Sequence, residues 1–219
     1  DETGIIVRDL VLRSDTATID LNATLNSQTL DANGSAELAD LSPLVEGLSG
    51  PGRLEFQANG PINAPIILAD LSTNSGTFAH ASGTLGRDVN LTAEITNFPV
   101  SFLHYFAKNL ALEGLASGSI TVAMIEETIK TTFAVVASGV NAGILQSYNL
   151  GALSLEASGS FFKREIVLSA AQISGRDGLS VNLNGRIPLN LENIDVTFSG
   201  DAPLTFAGEI LARSGTVAT

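Results

Sequence analysis

The sequence predicts an all-β protein built from a long antiparallel sheet with one apolar face and one polar face. Between residues 150 and 206, apolar side chains recur at every second position, first at Leu153, Leu155 and Ala157. Side chains two positions apart share one face of a strand. Turn residues such as Asp177 and Gly178 separate one run from the next, which is typical of a meander. The pattern resumes at Ile166, Leu168 and Ala170, at Leu179, Val181 and Leu183, and at Ile194, Val196 and Phe198.

The first two thirds of the chain show the same alternation of apolar and polar residues, interrupted by turn residues. Asn26 and Ser27 are predicted to form a turn, and the segment from Gly60 to Pro65 is predicted to be a rigid connector, because proline cannot donate a ladder hydrogen bond. The predicted strands cover residues 5–12, 19–25, 30–38, 54–58, 66–71, 77–85, 89–95, 110–112, 120–124 and 129–135.

Two segments depart from the period of two and predict short helices. Ser42 is a good N-cap, Pro43 suits the first helical position and Gly47 ends the segment, so a helix of about two turns is expected there. The second predicted helix runs from Pro99 to Lys108 and is rich in aromatic residues. We expect it to cover one end of the local core or to act as a lid.

Glycines recur at strand-length spacing and indicate an internal repeat. The motif Ala-Asn-Gly or Ala-Ser-Gly ends at Gly34, Gly60, Gly83, Gly118, Gly139 and Gly159. A glycine inside a strand marks a bend, a bulge or a close backbone approach. We therefore expect a single elongated fragment of a longer chain, with repeats at about 1–50, 51–118 and 119–219.

Composition excludes several classes of function. The 23 acidic and 11 basic residues give a net charge of −12, which argues against binding of nucleic acid or of anionic headgroups. Cysteine is absent, and His80 and His104 are the two histidines. The sequence shows neither a nucleophile–base pair nor a metal-ligand spacing, so we expect no enzyme activity, no cofactor and no metal.

The apolar face could be covered in more than one way. A closed sandwich or barrel with a purely structural role would pack its apolar faces together. An outer-membrane barrel would turn them outward, but two tyrosines and no tryptophan supply no aromatic girdle. An open trough would present its apolar interior to a ligand. Periodicity leaves the sandwich and the trough open.

Three stretches resemble the C-terminal region of the TamB family, within the AsmA-like group of bridge-like lipid-transfer proteins. They run from Leu38 to Leu44, from Asn97 to Leu103 and from Leu112 to Ser119. In that family a strand ends in a Pro-Leu helix, and a glycine-containing segment then enters the next strand. The resemblance implies a long sheet curled like a taco shell into a trough with an apolar interior. It also implies a periplasmic location, with the full-length protein anchored in the inner membrane of a Gram-negative bacterium.

The family's function would be phospholipid transfer between the inner and outer membranes, as part of the translocation and assembly module. The implied partners are phospholipid acyl chains and the outer-membrane barrel protein TamA. An alternative is a chaperone-like scaffold that binds strands of nascent outer-membrane proteins or autotransporters. Exposed sheet edges also predict self-association. The predicted lipid-binding groove consists of Leu91, Ile95, Val122, Phe133, Leu153, Leu155, Ile166, Leu168, Leu179, Val181, Leu183, Ile194, Val196 and Phe198.

Overall fold

The computed structural model describes residues 4–43, 48–101, 112–125, 128–142, 151–189 and 193–201. These residues form an open, 13-stranded antiparallel sheet whose spatial order follows the chain from β1 to β13. The all-β class and the long antiparallel sheet are thus confirmed, and an open sheet is consistent with a trough. The strands are β1 (Ile5–Arg13), β2 (Ala17–Leu25), β3 (Thr29–Leu38), β4 (Gly52–Pro61), β5 (Ile66–Thr73), β6 (Phe78–Thr84), β7 (Asn90–Pro99), β8 (Leu112–Ile125), β9 (Thr128–Ala142), β10 (Leu153–Phe162), β11 (Glu165–Ser174), β12 (Ser180–Pro188) and β13 (Asp195–Asp201).

Helical structure is scarce in the part of the chain that the structure describes, where no helix reaches seven residues. A 3₁₀ turn at Arg176–Gly178 joins β11 to β12. The first predicted helix begins in a turn at Ser42 and Pro43, and the second begins as 3₁₀ structure at Val100 and Ser101. The rest of both predicted helices, and with it His104, lies outside the described residues.

The chain divides into two compact units, and both are discontinuous in sequence. Unit 1 comprises Asp1–Phe98 and Ser117–Thr132, and unit 2 comprises Pro99–Ala116 and Phe133–Thr219. The repeat boundaries expected from the sequence stay a prediction.

The predicted turns form through local hydrogen bonds and left-handed residues. Asn26 Oδ1 accepts the backbone N–H groups of Gln28 at 2.8 Å and Thr29 at 2.7 Å, which closes the β2–β3 hairpin. Lys163 and Arg164 have φ of 50° and 65°, so they form the two-residue turn of the β10–β11 hairpin. Two left-handed residues match the twist of the flanking strands.

In the strand pairings whose register the structure describes, two β-bulges decide which side chains share a face. In β1 the register shifts between Val7 and Leu10, and in β11 it shifts between Leu168 and Ala171. The expected alternation through Ala170 was therefore wrong: Ala170 pairs with Ser158 on the polar face, and Ala171 pairs with Leu183 on the apolar face. An extra residue in one strand reverses the parity of every side chain after it.

Burial is shallow among the described residues, of which none has a side chain less than 2% exposed. The small core cluster of unit 2 contains Val100, Ala116 and Ala137. In unit 1, Leu41 and Leu48 are 2% and 3% exposed. The side chain of Leu41 lies over Gly52, since a methyl group built there would be 2.4 Å from Leu41 Cδ1.

Candidate apolar binding faces

Unit 1 carries a continuous apolar face across β1 to β7, which we call apolar face 1. Its central row runs through directly paired residues on successive strands: Leu10, Leu21, Gly34, Phe56, Ala69, Ala81 and Ala93. The flanking rows contain Ile19, Ala36, Leu54, Leu71, Ala79 and Ile95 on one side, and Val7, Ala23, Ala32, Ala58, Ile67, Gly83 and Leu91 on the other. Thr73 is the polar residue at its margin, paired with Gly52.

The acidic and basic residues of β2 to β7, together with His80, all point to the opposite face. Their pairings place them in register with polar positions of the neighbouring strands: Asp20, Asp31, Glu37, Arg53, Glu55, Asp70, His80 and Glu94. Because strand side chains alternate in direction, this segregation leaves apolar face 1 without a charge in these six strands. The segregation is what an amphipathic sheet with one hydrophobic face requires.

Apolar face 2 lies on β10 to β13 in unit 2. Its paired rows are Leu155, Ile173, Val181 and Gly200; Ala157, Ala171, Leu183 and Phe198; Gly159, Leu168, Gly185 and Val196; and Phe161, Ile166 and Ile187. In the third row, Leu168 is flanked by glycines on both neighbouring strands. Large residues next to glycines allow the side chains of a curved sheet to fit on one face.

Glycines also allow close packing within each face. A methyl group built on Gly159 would lie 2.9 Å from Phe133 Cζ, so that ring covers the glycine. At Gly185, φ is 139° and a built methyl group would lie 2.1 Å from the carbonyl oxygen of Asp195. These positions accept no larger side chain without a backbone shift. Close backbone approach, one of the roles expected of the recurring glycines, has a direct structural counterpart at Gly34, Gly83 and Gly159.

The structure divides the predicted groove residues between the two units. Leu91, Ile95 and Val122 belong to unit 1, where the hydroxyls of Thr92 and Thr121 are 3.2 Å apart on the polar side. Because neighbouring residues of a strand point to opposite faces, Val122 lies on the same face as Leu91. The others belong to unit 2: Phe133, Leu153, Leu155, Ile166, Leu168, Leu179, Val181, Leu183, Ile194, Val196 and Phe198.

Exposure differs widely within the unit 2 set. Phe198 is 76% exposed and Ile194 is 53% exposed, whereas Leu179 is only 5% exposed. Leu179 and Leu153 both pack over Gly175 at the end of the β11–β12 hairpin. Most of the remaining members are half-buried within the sheet, where side chains of neighbouring strands flank them.

The predicted groove omitted the part of apolar face 1 that lies on β1 to β6. Leu21, Phe56 and Leu71 are each paired with apolar or glycine residues of adjacent strands and are half-buried. The same period of two would have identified them. The bulge in β11 carries no comparable signal, since Ser169 and Ala170 also fit a regular strand.

The polar face of unit 1 carries a shallow depression of about 490 Å³ lined by Asp20, Asp31, Glu55, Asp70 and His80 among others. His80 Nδ1 lies 2.8 Å from Asp70 Oδ1, and Arg53 bridges Glu37 and Glu55 at 2.7 and 2.8 Å. The described residues contain no group of three or more His, Asp or Glu arranged to hold a metal. The titratable side chains that line the depression are solvated and mostly acidic.

One carboxylate has a clear structural role in unit 1. Asp40 accepts hydrogen bonds from the Ser42 hydroxyl at 2.5 Å and from the backbone N–H groups of Ser42 at 3.1 Å and Gly50 at 2.9 Å. The Ser42 hydroxyl, followed by these backbone donors, holds the pKa of Asp40 below its usual value of 3.8. Asp40 thereby joins the two ends of the β3–β4 connection.

Comparison with known proteins supplies no relative: no family model, curated protein or solved structure matches the chain. Among the residues that the structure describes, no helix has the length and apolarity needed to cross a bilayer.

Proposed function

We propose that the chain binds phospholipid acyl chains on its apolar faces and conducts them between the two membranes of a Gram-negative envelope. The observation that carries the proposal is the extent of the apolar surface: within the described residues, apolar face 1 extends over seven strands with no charged side chain in β2 to β7. A periplasmic location, attachment to the inner membrane and a partnership with TamA are proposed on the sequence resemblance.

The dimensions suit an acyl chain. Six strand spacings of about 4.8 Å give apolar face 1 a width of about 29 Å across the strands. Each methylene removed from water contributes about 0.8 kcal/mol, so even partial contact along a chain gives several kcal/mol. Alanine, glycine and aliphatic side chains offer no directional contact that would hold the lipid at one place. A bound chain can therefore slide while its headgroup stays in water.

The acidic polar face complements this role. Asp20, Glu55, Asp70 and Glu94 lie in one cross-strand row with His80, opposite the apolar side. Their charge favours solubility of a protein that exposes so much apolar surface. It also disfavours flat adsorption of this face on anionic headgroups, since like charges repel.

Site-specific photo-crosslinking tests the proposal. A photoreactive residue at Leu155, Leu168 or Val181 should capture phospholipid, because these residues lie on apolar face 2. The same residue at Glu156 or Asn182, on neighbouring positions of the polar face, should not. Equal capture from both faces would overturn the assignment.

Binding of nascent outer-membrane strands is a second candidate, favoured by β13, the last strand in the order of the described sheet. Its Phe198 is 76% exposed, and β12 is its sheet neighbour within the described part of the chain. Strand addition at this edge would use main-chain hydrogen bonds. Crosslinking of unfolded strands to Phe198, without lipid capture at Leu155, would favour this function over lipid transfer.

A further inference from the structure

Strand β1 differs from its neighbours in having apolar side chains on both faces of the sheet. Ile5, Val7, Leu10 and Leu12 lie on apolar face 1, paired with Leu25, Ala23, Leu21 and Ile19. Ile6 and Val11 lie on the polar face opposite Thr24 and Asp20, and they are 57% and 42% exposed. An exposed strand with apolar side chains favours pairing with another chain when it lies at a sheet edge, and β1 ends the strand order of the described sheet.

From Ile5 to Leu12, the sequence of β1 is symmetric about Arg8 and Asp9 in its order of apolar and charged residues. Three apolar residues, Ile5 to Val7, precede Arg8 and Asp9, and three more, Leu10 to Leu12, follow. In a regular strand, residues 5 and 12 would lie on opposite faces because they are an odd number of positions apart. The bulge at Arg8 and Asp9 reverses the parity, so Ile5 and Leu12 share a face.

From this pattern we propose that β1 is the interface of a symmetric dimer, in which the β1 strands of two copies pair antiparallel. One register places apolar face 1 of both copies on the same side of the combined sheet. In this register Ile5 lies opposite Leu12, Ile6 opposite Val11 and Val7 opposite Leu10 of the second copy. Arg8 of each copy then faces Asp9 of the other. Such an isologous contact satisfies the outward N–H and C=O groups of both edges and continues apolar face 1 across the dyad.

The bulge itself is fixed from within the chain. The backbone N–H of Asp9 donates to Asn22 Oδ1 at 2.8 Å, and Asp9 has φ of 49°. Arg8 and Asp9 are both exposed. The β1 strand of a second copy suits this edge better than the β13 strand of a second copy would. The charges of β13, Asp195 and Asp201, lie at its two ends, so neither would face the central Arg8 and Asp9.

Cysteine crosslinking of the 219-residue chain, which has no native cysteine, reads the register directly. Directly opposite residues of an antiparallel pair have Cα atoms about 5 Å apart, within disulfide range. A mixture of Val7→Cys and Leu10→Cys proteins should therefore crosslink on mild oxidation. Val7→Cys alone should not, because its two copies would be about 8 Å apart in this register. A mixture of Ile5→Cys and Leu10→Cys is the matched mispaired control.

Charge exchange supplies an independent measurement by sedimentation velocity. Arg8→Asp places two like-charged pairs at the dyad and should weaken dimerisation at least tenfold. Adding Asp9→Lys to the same chain should restore it, because the opposite charges meet again. A wild-type chain that is monomeric at all concentrations, crosslinking of Val7→Cys to Phe198→Cys in place of Leu10→Cys, or an unrescued double variant would each overturn the proposal.

Discussion

The ring of Phe56 covers Gly34 on the adjacent strand: a methyl group built on Gly34 would lie 2.7 Å from Phe56 Cζ and 2.5 Å from the carbonyl oxygen of Asp20. The glycine is thus enclosed by an aromatic ring on one side and a backbone group on the other. An aromatic residue across from a strand glycine compensates for its missing side chain. The same relationship links Phe133 with Gly159 in unit 2.

Gly34→Ala should therefore destabilise the protein. The added methyl group cannot be accommodated by rotating Phe56 alone, since the Asp20 carbonyl is also too close. We expect a loss of about 1–3 kcal/mol in the free energy of unfolding, the usual range for overpacking. Urea titration measures the loss, and Ser35→Ala on the polar face is the control. An unchanged midpoint for Gly34→Ala would contradict the close packing of Phe56.

Leu183→Asp should separate folding from binding. Leu183 pairs with Ala171 and Phe198 on apolar face 2, where Phe198 is 76% exposed and water has access. The carboxylate can stay hydrated, so the cooperative melt should persist while phospholipid capture at Leu155 falls at least tenfold. Asn182→Asp, one position away on the polar face, should leave capture unchanged. Loss of the melt in Leu183→Asp would indicate a closed core at this position.

Asp40 should make the β3–β4 connection sensitive to acid. Its pKa is lowered in the folded state by the Ser42 hydroxyl and by the backbone donors of Ser42 and Gly50. Because folding lowers this pKa, the ionised carboxylate stabilises the folded state at pH values above the unfolded pKa. This stabilisation is lost as the pH falls through the folded pKa. We expect the protection of the Gly50 amide, measured against the intrinsic exchange rate at each pH, to fall below about pH 3.8, the usual pKa.

The matched variant for that measurement is Asp40→Asn, which keeps an acceptor but removes the charge. The protection of its Gly50 amide, measured in the same way, should not change with pH in this range. A carbon chemical shift of the Asp40 carboxyl that titrates at or above 3.8 would contradict the lowered pKa.

Alternation predicts the sheet well because it is a local property of each strand. Leu155, Val181 and Leu183 fall on one face, as their spacing in the sequence indicates. Ala170 does not, because the bulge depends on how β11 meets Gly159 and Gly185 of its two neighbours. Contacts between strands, such as Phe56 on Gly34, likewise depend on register, which a single run of residues does not contain.

Deletion of Ser169 tests how the bulge sets the faces. Removing this residue makes β11 regular, with Leu168, Ala171 and Ile173 at alternate positions and therefore still on apolar face 2. We expect the variant to keep a cooperative unfolding transition, because no apolar side chain changes face. Deletion of Asn182 in β12 is the control: without a bulge to remove, Leu183 moves to the polar face and its pairing with Ala171 and Phe198 is lost. That variant should lose most of its cooperative transition by circular dichroism. If the two deletions were equally damaging, the bulge would not be what keeps Leu168 and Ala171 on the same face.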